Sequence, residues 1–177
     1  MKRTLTPADL LTMGRPPNGK HYELSGSGEL ITAGNAGKKH ELTKSRTASA
    51  LFKWERPEVG VVFSETMFSV GEGARIPDVA FVSKARMDAH PEDDGPISFA
   101  PNLAIEVVSD SEPAEDAELK VREYLAAGVE EVWQMYPKGR FVRVRTSDGY
   151  RDLYPSDAIS TPVLPGFNTP VGDLFPA

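Results

Sequence analysis

Leu103-Ala104-Ile105-Glu106-Val107-Val108 is a continuous apolar run interrupted by a single carboxylate. A half-exposed strand would alternate apolar and polar residues. An unbroken run, β-branched at Ile105, Val107 and Val108, predicts a central strand covered on both faces. Glu106 must then be paired, protonated or bound to a cation, because burying an ionised carboxylate without compensation costs many kcal/mol and partial burial raises its pKa. A second apolar strand, Ile76-Pro77-Asp78-Val79-Ala80-Phe81-Val82, carries an acid at its start. By period-two alternation Asp78 shares a face with Ala80 and Val82, and Glu106 shares one with Ala104 and Val108. If the two strands are neighbours, their backbones lie about 4.8 Å apart, and the two carboxylates can hold one hard cation between them. Magnesium suits such a pair, since it takes a few carboxylate oxygens and keeps water in its other positions.

Downstream of Glu106, Ser109-Asp110-Ser111 supplies caps for a helix from about Glu112 to Ala127, and Gly128 is placed to end it. Ala117, Val121, Tyr124 and Leu125 form its apolar stripe, with Lys120 at the edge of that stripe. The Lys120 ammonium can therefore point along the sheet. Asp116 stands one turn earlier, in the acid-first order of an i,i+4 pair. A lysine near two metal-bound carboxylates is suited to orienting water or to stabilising negative charge on a pentavalent phosphorus. Each residue also has a plainer reading. Asp78 after proline serves as a turn residue, Glu106 on a sheet edge would keep its head in water, and Lys120 with Asp116 would be a solvated helix pair.

Around this centre the chain alternates short elements. Thr6-Pro7-Ala8-Asp9 starts a helix that Gly14 closes, and His21–Leu24 and Glu29–Thr32 are strands joined by Gly26-Ser27-Gly28. Lys39 to Trp54 reads as a helix with a weak apolar face, ended by Pro57. Strands are expected at Val59–Phe63, Met67–Val70 and Ile76–Val82, then a long loop over residues 84 to 101. After the Glu106 strand and its helix come strands near Glu131–Tyr136, Phe141–Thr146 and Tyr150–Leu153, the last two joined at Asp148-Gly149. An apolar tail from Pro162 to Phe175, broken by proline, packs back on the rest. This order predicts an α/β fold with a mixed sheet flanked by helices. It is read as one domain over 1–177, with an N-terminal helix and hairpin (about 6–33) and a C-terminal β extension (about 138–177).

The chain has 177 residues, 20 Lys plus Arg, 26 Asp plus Glu, a formal net charge of −6 and no cysteine. Without cysteine there is no disulfide, no thiolate nucleophile and no Cys-ligated zinc, which fits a reducing cytoplasm. Lys2 and Arg3 imitate the start of a signal peptide, but Pro7 and Asp9 interrupt the apolar stretch behind them. No segment approaches the roughly 20 apolar residues of a membrane span, so no membrane partner is expected. The acidic balance argues against coating nucleic acid through bulk charge, although it does not exclude a nuclease, whose site needs carboxylates. Two segments are basic: 38–56, with Lys38, Lys39, Lys44, Arg46, Lys53 and Arg56, and 138–151, with Lys138, Arg140, Arg143, Arg145 and Arg151. Arg143 and Arg145 point to one sheet face and are candidate phosphate contacts or part of a solvated face.

At these residues the sequence resembles a family. Pro77-Asp78, Glu106-Val107-Val108 and Lys120 look like the PD-(D/E)XK nuclease signature in the form used by the Uma family of bacterial restriction-endonuclease-like proteins. Tyr22-Glu23-Leu24 with Gly28-Glu29-Leu30 resembles the family's opening hairpin, Ile76 to Ser83 its PDVAFVS strand, Leu103 to Ser109 its LAIEVVS strand, and Lys120 to Val129 its KVxEYLxAGV helix. Val132-Trp133 and Leu164-Pro165-Gly166-Phe167 extend the likeness, which spans about Tyr22 to Phe175. The resemblance implies a restriction-endonuclease-like core and Mg²⁺- or Mn²⁺-dependent hydrolysis of DNA. Asp78 and Glu106 would be metal ligands and catalytic residues, with Lys120 as the catalytic lysine. The usual lysine two places after the second acid is Val108 here, so the role falls to Lys120 on the helix. Glu23 matches a family acid that would complete the site, and His40 matches a histidine at a helix start. Folds of this family often act as dimers on two-stranded substrates, so the resemblance allows a homodimer and leaves the oligomeric state open. Departures from the family pattern are the longer Ser25-Gly26-Ser27-Gly28 turn, Asp110 and Tyr136. The competing class is a nuclease-like fold that binds or assembles without catalysis. A glycosidase using Glu106 is disfavoured by the scarcity of aromatic residues near the acids.

Overall fold

The computed structural model describes residues 5–17, 21–32, 37–90, 97–109 and 112–177. Lys2, Arg3, and the Asp110 and Ser111 of the expected helix cap lie outside them. In chain order the elements are α1 (Pro7–Thr12), β1 (Tyr22–Leu24), β2 (Leu30–Thr32), α2 (Lys38–Trp54), β3 (Gly60–Ser64), β4 (Phe68–Val70), β5 (Gly73–Arg75), β6 (Val79–Ser83), α3 (Lys84–Ala89), β7 (Leu103–Val107), α4 (Ala114–Ala126), β8 (Glu131–Tyr136), β9 (Phe141–Thr146), β10 (Gly149–Leu153), β11 (Ala158–Thr161) and β12 (Leu164–Pro170), with a 3₁₀ turn at Val171–Leu174. α1 starts as read: Asp9 accepts hydrogen bonds from the backbone N–H and the hydroxyl of Thr6.

Six strands form the large sheet, in the order β10-β9-β8-β7-β6-β3. β7 and β8 pair in parallel, because α4 carries the chain back along the sheet before β8 begins. The other pairings are antiparallel, so the sheet is mixed as expected. β6 and β7 are neighbours, with Val79 opposite Ile105 and Ala80 opposite Ala104. The two acid-bearing segments are therefore adjacent. A smaller sheet, β2-β1-β5-β4, holds the N-terminal hairpin.

β7 is covered on both faces, as its apolar run requires. Leu103, Ile105 and Val107 pack with Trp133, Met135, Val142 and Val144 against Leu51 of α2 and against Phe167, Val171, Leu174 and Phe175. Ala104 packs with Val132, Val121, Tyr124 and Val129 under α4. The weak apolar face of α2 is borne out by its buried residues, Thr43, Thr47 and Leu51. Thr47 satisfies its hydroxyl on the Met135 sulfur at 3.2 Å. α4 ends where Gly128 adopts φ +88°, and the N–H of Val129 bonds the Tyr124 carbonyl, a closure that wants a residue without a side chain at this point.

Two expectations need correction. The strand expected from Ile76 begins only at Val79; Pro77 has no N–H for the ladder, and Ile76 to Asp78 is the link by which the chain leaves β5 in the small sheet and enters the large one. The loop over 84–101 opens with α3, capped by Ser83, whose hydroxyl accepts from the Arg86 N–H. The C-terminal tail packs back as expected: its apolar residues lie on the α2 side of the large sheet, and it contains β12, which pairs with β11.

Candidate active site

Asp78 stands at the end of the link, one residue before β6. Its Oδ2 accepts the Val107 N–H at 2.9 Å, which pins the carboxylate across the β6–β7 boundary. His40, in the first turn of α2, places Nε2 3.5 Å from the same oxygen. Glu106 lies on the α4 face of β7 with 12% of its side chain exposed. Its Oε1 accepts the hydroxyl of buried Tyr124 at 2.7 Å, and its Oε2 lies 3.6 Å from the Lys120 ammonium. Lys120 also pairs with Glu112, two residues before α4, at 3.4 Å, in place of the expected Asp116. Glu23, His40, Asp78, Glu106 and Lys120 all line one cavity of about 450 Å³. The residues singled out from sequence thus meet in one place.

The electrostatics follow from how many carboxylates share this space. Burial pushes Glu106 up to about 8; the nearby charges of Asp78 and Glu23 push the same way, outweighing Lys120 and the Tyr124 hydroxyl, which oppose it. Lys120 is held above its ordinary value: burial disfavours its charge, but Glu106, Glu23 and Glu112 more than restore it. It is a fixed cation at neutral pH. Burial alone would raise Glu23, yet Lys120, His21 and Arg75 bring it down to about 2.

Glu23 owes its place to a network that the sequence reading missed. Arg75, 1% exposed, donates Nη1 to Glu23 Oε2 at 2.9 Å and both Nε and Nη2 to Glu123 Oε2, at 2.9 and 2.5 Å. Glu123 Oε1 accepts the Gly26 N–H in the hairpin turn, and Glu23 Oε1 faces the Ile76 N–H at 3.3 Å. The network joins β1, β5, the Asp78 link and α4 one turn beyond Lys120. The signal in the sequence was an arginine directly before the Ile76-Pro77-Asp78 link and a glutamate three residues after Lys120, but nothing local says that they meet.

The basic segments are largely committed elsewhere. Arg143 forks onto Asp152, Arg145 donates Nη1 to both oxygens of Glu118, Lys44 pairs with Glu41 and Glu65, and Arg46 and Arg56 donate to the carbonyls of Phe175 and Pro165.

The donor set suits a hard divalent cation. Val107 and His40 both address Asp78 Oδ2, and Glu106 is a buried carboxylate whose burial the nearby Lys120 ammonium does not offset. Among the described residues no three His, Cys, Asp or Glu side chains cluster tightly enough to hold a metal by themselves. An ion here would be held by Asp78 and Glu106 and would keep several waters, the habit of magnesium.

A mixed sheet flanked by helices, with an acid on each of two adjacent inner segments and a lysine beside them, is the restriction-endonuclease-like arrangement that the resemblance implied. The chain belongs to the Uma2 family, described as "Putative restriction endonuclease", whose profile matches residues 7–172. Among solved structures it is similar to one from Anabaena variabilis ATCC 29413, titled a "putative nuclease belonging to DUF820": TM-score 0.81, 19% identity, 97% of each chain covered. At that identity the likeness shows the fold. No curated protein matches the chain. Among the described residues no helix is long and apolar enough to cross a membrane.

Proposed function

We propose that the protein is a metal-dependent endonuclease that hydrolyses phosphodiester bonds in DNA. The observation that carries this reading is the convergence of Asp78 and Glu106, from adjacent antiparallel segments, with Lys120 in one cavity. Asp78 and Glu106 would hold Mg²⁺ or Mn²⁺. When bound, such an ion polarises a phosphoryl oxygen and makes a bound water acidic enough to attack phosphorus.

The chain's own residues do the positioning. The Val107 N–H and His40 fix the Asp78 carboxylate through one oxygen, and the Tyr124 hydroxyl fixes Glu106 through Oε1. Lys120, held protonated by the surrounding carboxylates, is a poor base and a good source of positive charge. Its role is therefore to stabilise the negative charge that grows on the phosphoryl oxygens as the water oxygen bonds to phosphorus and the bond to the leaving oxygen breaks.

The test is cleavage of single-stranded DNA, duplex DNA and RNA by the purified protein with added Mg²⁺ or Mn²⁺. Cleavage of DNA is expected, reduced at least a hundredfold in Asp78→Asn, Glu106→Gln and Lys120→Met. Absence of cleavage on every substrate, or an Asp78→Asn protein as active as the parent, would refute the proposal.

A further inference from the structure

On the face of the large sheet that carries Glu106, the register runs from Glu106 to Gln134 on β8, Arg143 on β9 and Asp152 on β10. Toward β10 this face bears aromatic rings and guanidinium groups. Tyr136 and Phe141, opposite each other, stack with centroids 4.5 Å apart and an interplanar angle of 5°. Tyr154 extends the stack, 5.9 Å from Phe141. Arg143 lies over the Tyr150 ring at 4.6 Å and Arg145 at 5.7 Å. Tyr150 is 65% exposed and Tyr154 53%, large values for rings aligned in a ladder.

The two arginines are not free phosphate contacts. Asp152 fills the fork of Arg143 and Glu118 neutralises Arg145 through Nη1, so both offer little to a phosphate, but their flat faces still stack on a ring. Charge for phosphate is found instead in the turn between β8 and β9, where Lys138 and Arg140 are exposed and in no ion pair among the described residues. That turn directly joins Tyr136 to Phe141. Segment 138–153 as a whole holds Lys138, Arg140, Arg143, Arg145 and Arg151 against Asp148 and Asp152, in a chain of net charge −6.

We propose that this surface binds the unpaired bases of a nucleic-acid strand, with bases stacking on Tyr154 and Tyr150 and with Lys138 and Arg140 meeting its phosphates. Duplex bases are already stacked inside their helix, and a grip on duplex depends on many cation–phosphate contacts. Exposed rings flanked by a few cations fit a single strand, which offers a π-face at every base. Position agrees: Tyr136 lies two residues beyond Gln134, the register neighbour of Glu106, so the stack stands on the same face of the sheet as the carboxylate. The proposal rests on the nucleic-acid reading of the site and adds that the strand near the cavity is unpaired.

Fluorescence anisotropy in EDTA, with a labelled single-stranded oligonucleotide and the corresponding blunt duplex, tests it. The single strand should bind more tightly than the duplex. Tyr150→Ala and Tyr154→Ala should each weaken single-strand binding roughly tenfold without changing the melting temperature. Lys138→Gln and Arg140→Gln should each flatten the dependence of log K on log salt by about 0.7. Single-strand binding unchanged in both tyrosine variants would overturn the proposal, as would a parent protein that holds duplex more tightly than single strand. Because binding is read without metal, tyrosine-dependent binding by a protein that never cleaves would uphold the stacking surface while removing the hydrolase reading.

Discussion

Replacing Arg75 by methionine keeps most of the side-chain volume and removes every donor and the charge. Glu23, 2% exposed, and Glu123, 13% exposed, then lose their shared counter-ion and three hydrogen bonds of 2.5 to 2.9 Å. Breaking a buried ion pair from one side costs about 3–5 kcal/mol, because the charge left behind cannot reach water. A domain of this size holds about 5–15 kcal/mol in total. At about 2–4 °C per kcal/mol, the melting temperature should fall by about 6–20 °C. The pH dependence has a definite sign. Burial raises Glu23, but Lys120, His21 and Arg75 hold it at about 2, below its unfolded value. Its stabilisation is therefore fully present above the unfolded pKa of about 4.3 and is lost as pH falls toward 2. The variant should show its full deficit at pH 7 and a smaller one at pH 3. Urea unfolding followed by circular dichroism at both pH values measures this. A deficit below about 1 kcal/mol at pH 7, or one that grows on acidification, would refute the reasoning. Arg75→Lys, which restores charge without the fork, should recover part of the loss.

Three further outcomes are expected. Glu106→Gln should raise the melting temperature at pH 9 in chelator, because the parent pays to ionise Glu106 as pH rises from its unfolded pKa through about 8; the same variant should lose any Mn²⁺-induced rise in melting temperature, and an unchanged Mn²⁺ response would sink its role as a ligand. Tyr124→Phe removes the hydroxyl that holds Glu106 Oε1 and should lower Mn²⁺ affinity by calorimetry about tenfold, with a stability change of only about 1 kcal/mol; unaltered affinity would show that the bond does not orient the carboxylate. Gly73→Ala puts a Cβ into the carbonyl oxygens of Leu24 and Ser25, where β5 crosses β1, and should destabilise by about 1–3 kcal/mol; an unchanged urea midpoint would show that the two strands can separate freely.

The residues of the candidate site were legible because each violates its local pattern. A carboxylate in an apolar strand, an acid after proline and a lysine at the edge of an apolar stripe are visible in windows of a few residues. Arg75 and Glu123 violate nothing locally. Arg75 sits in a three-residue strand too short to show periodicity, and Glu123 is one of several acids on a helix rich in them. For Arg143 and Arg145, alternation placed them correctly on one face and left phosphate contact or a solvated face open, and only the fold reveals that they pair with Asp152 and Glu118.

By itself the sequence determined most element types, though not α3, β5 or β11, along with the two-sided burial of Leu103–Val107 and the acids and lysine of the candidate site. These depend on interactions within one strand or one helical turn, which periodicity records. Which strands are neighbours, how Asp78 is held by a backbone N–H of Val107, and which charges cancel which were decided by the tertiary structure. The Asp78–Val107, Arg75–Glu123 and Arg75–Glu23 pairings join residues 29, 48 and 52 positions apart, and at that range the partner is selected by the packing of whole elements, whose outcome no short window of sequence contains.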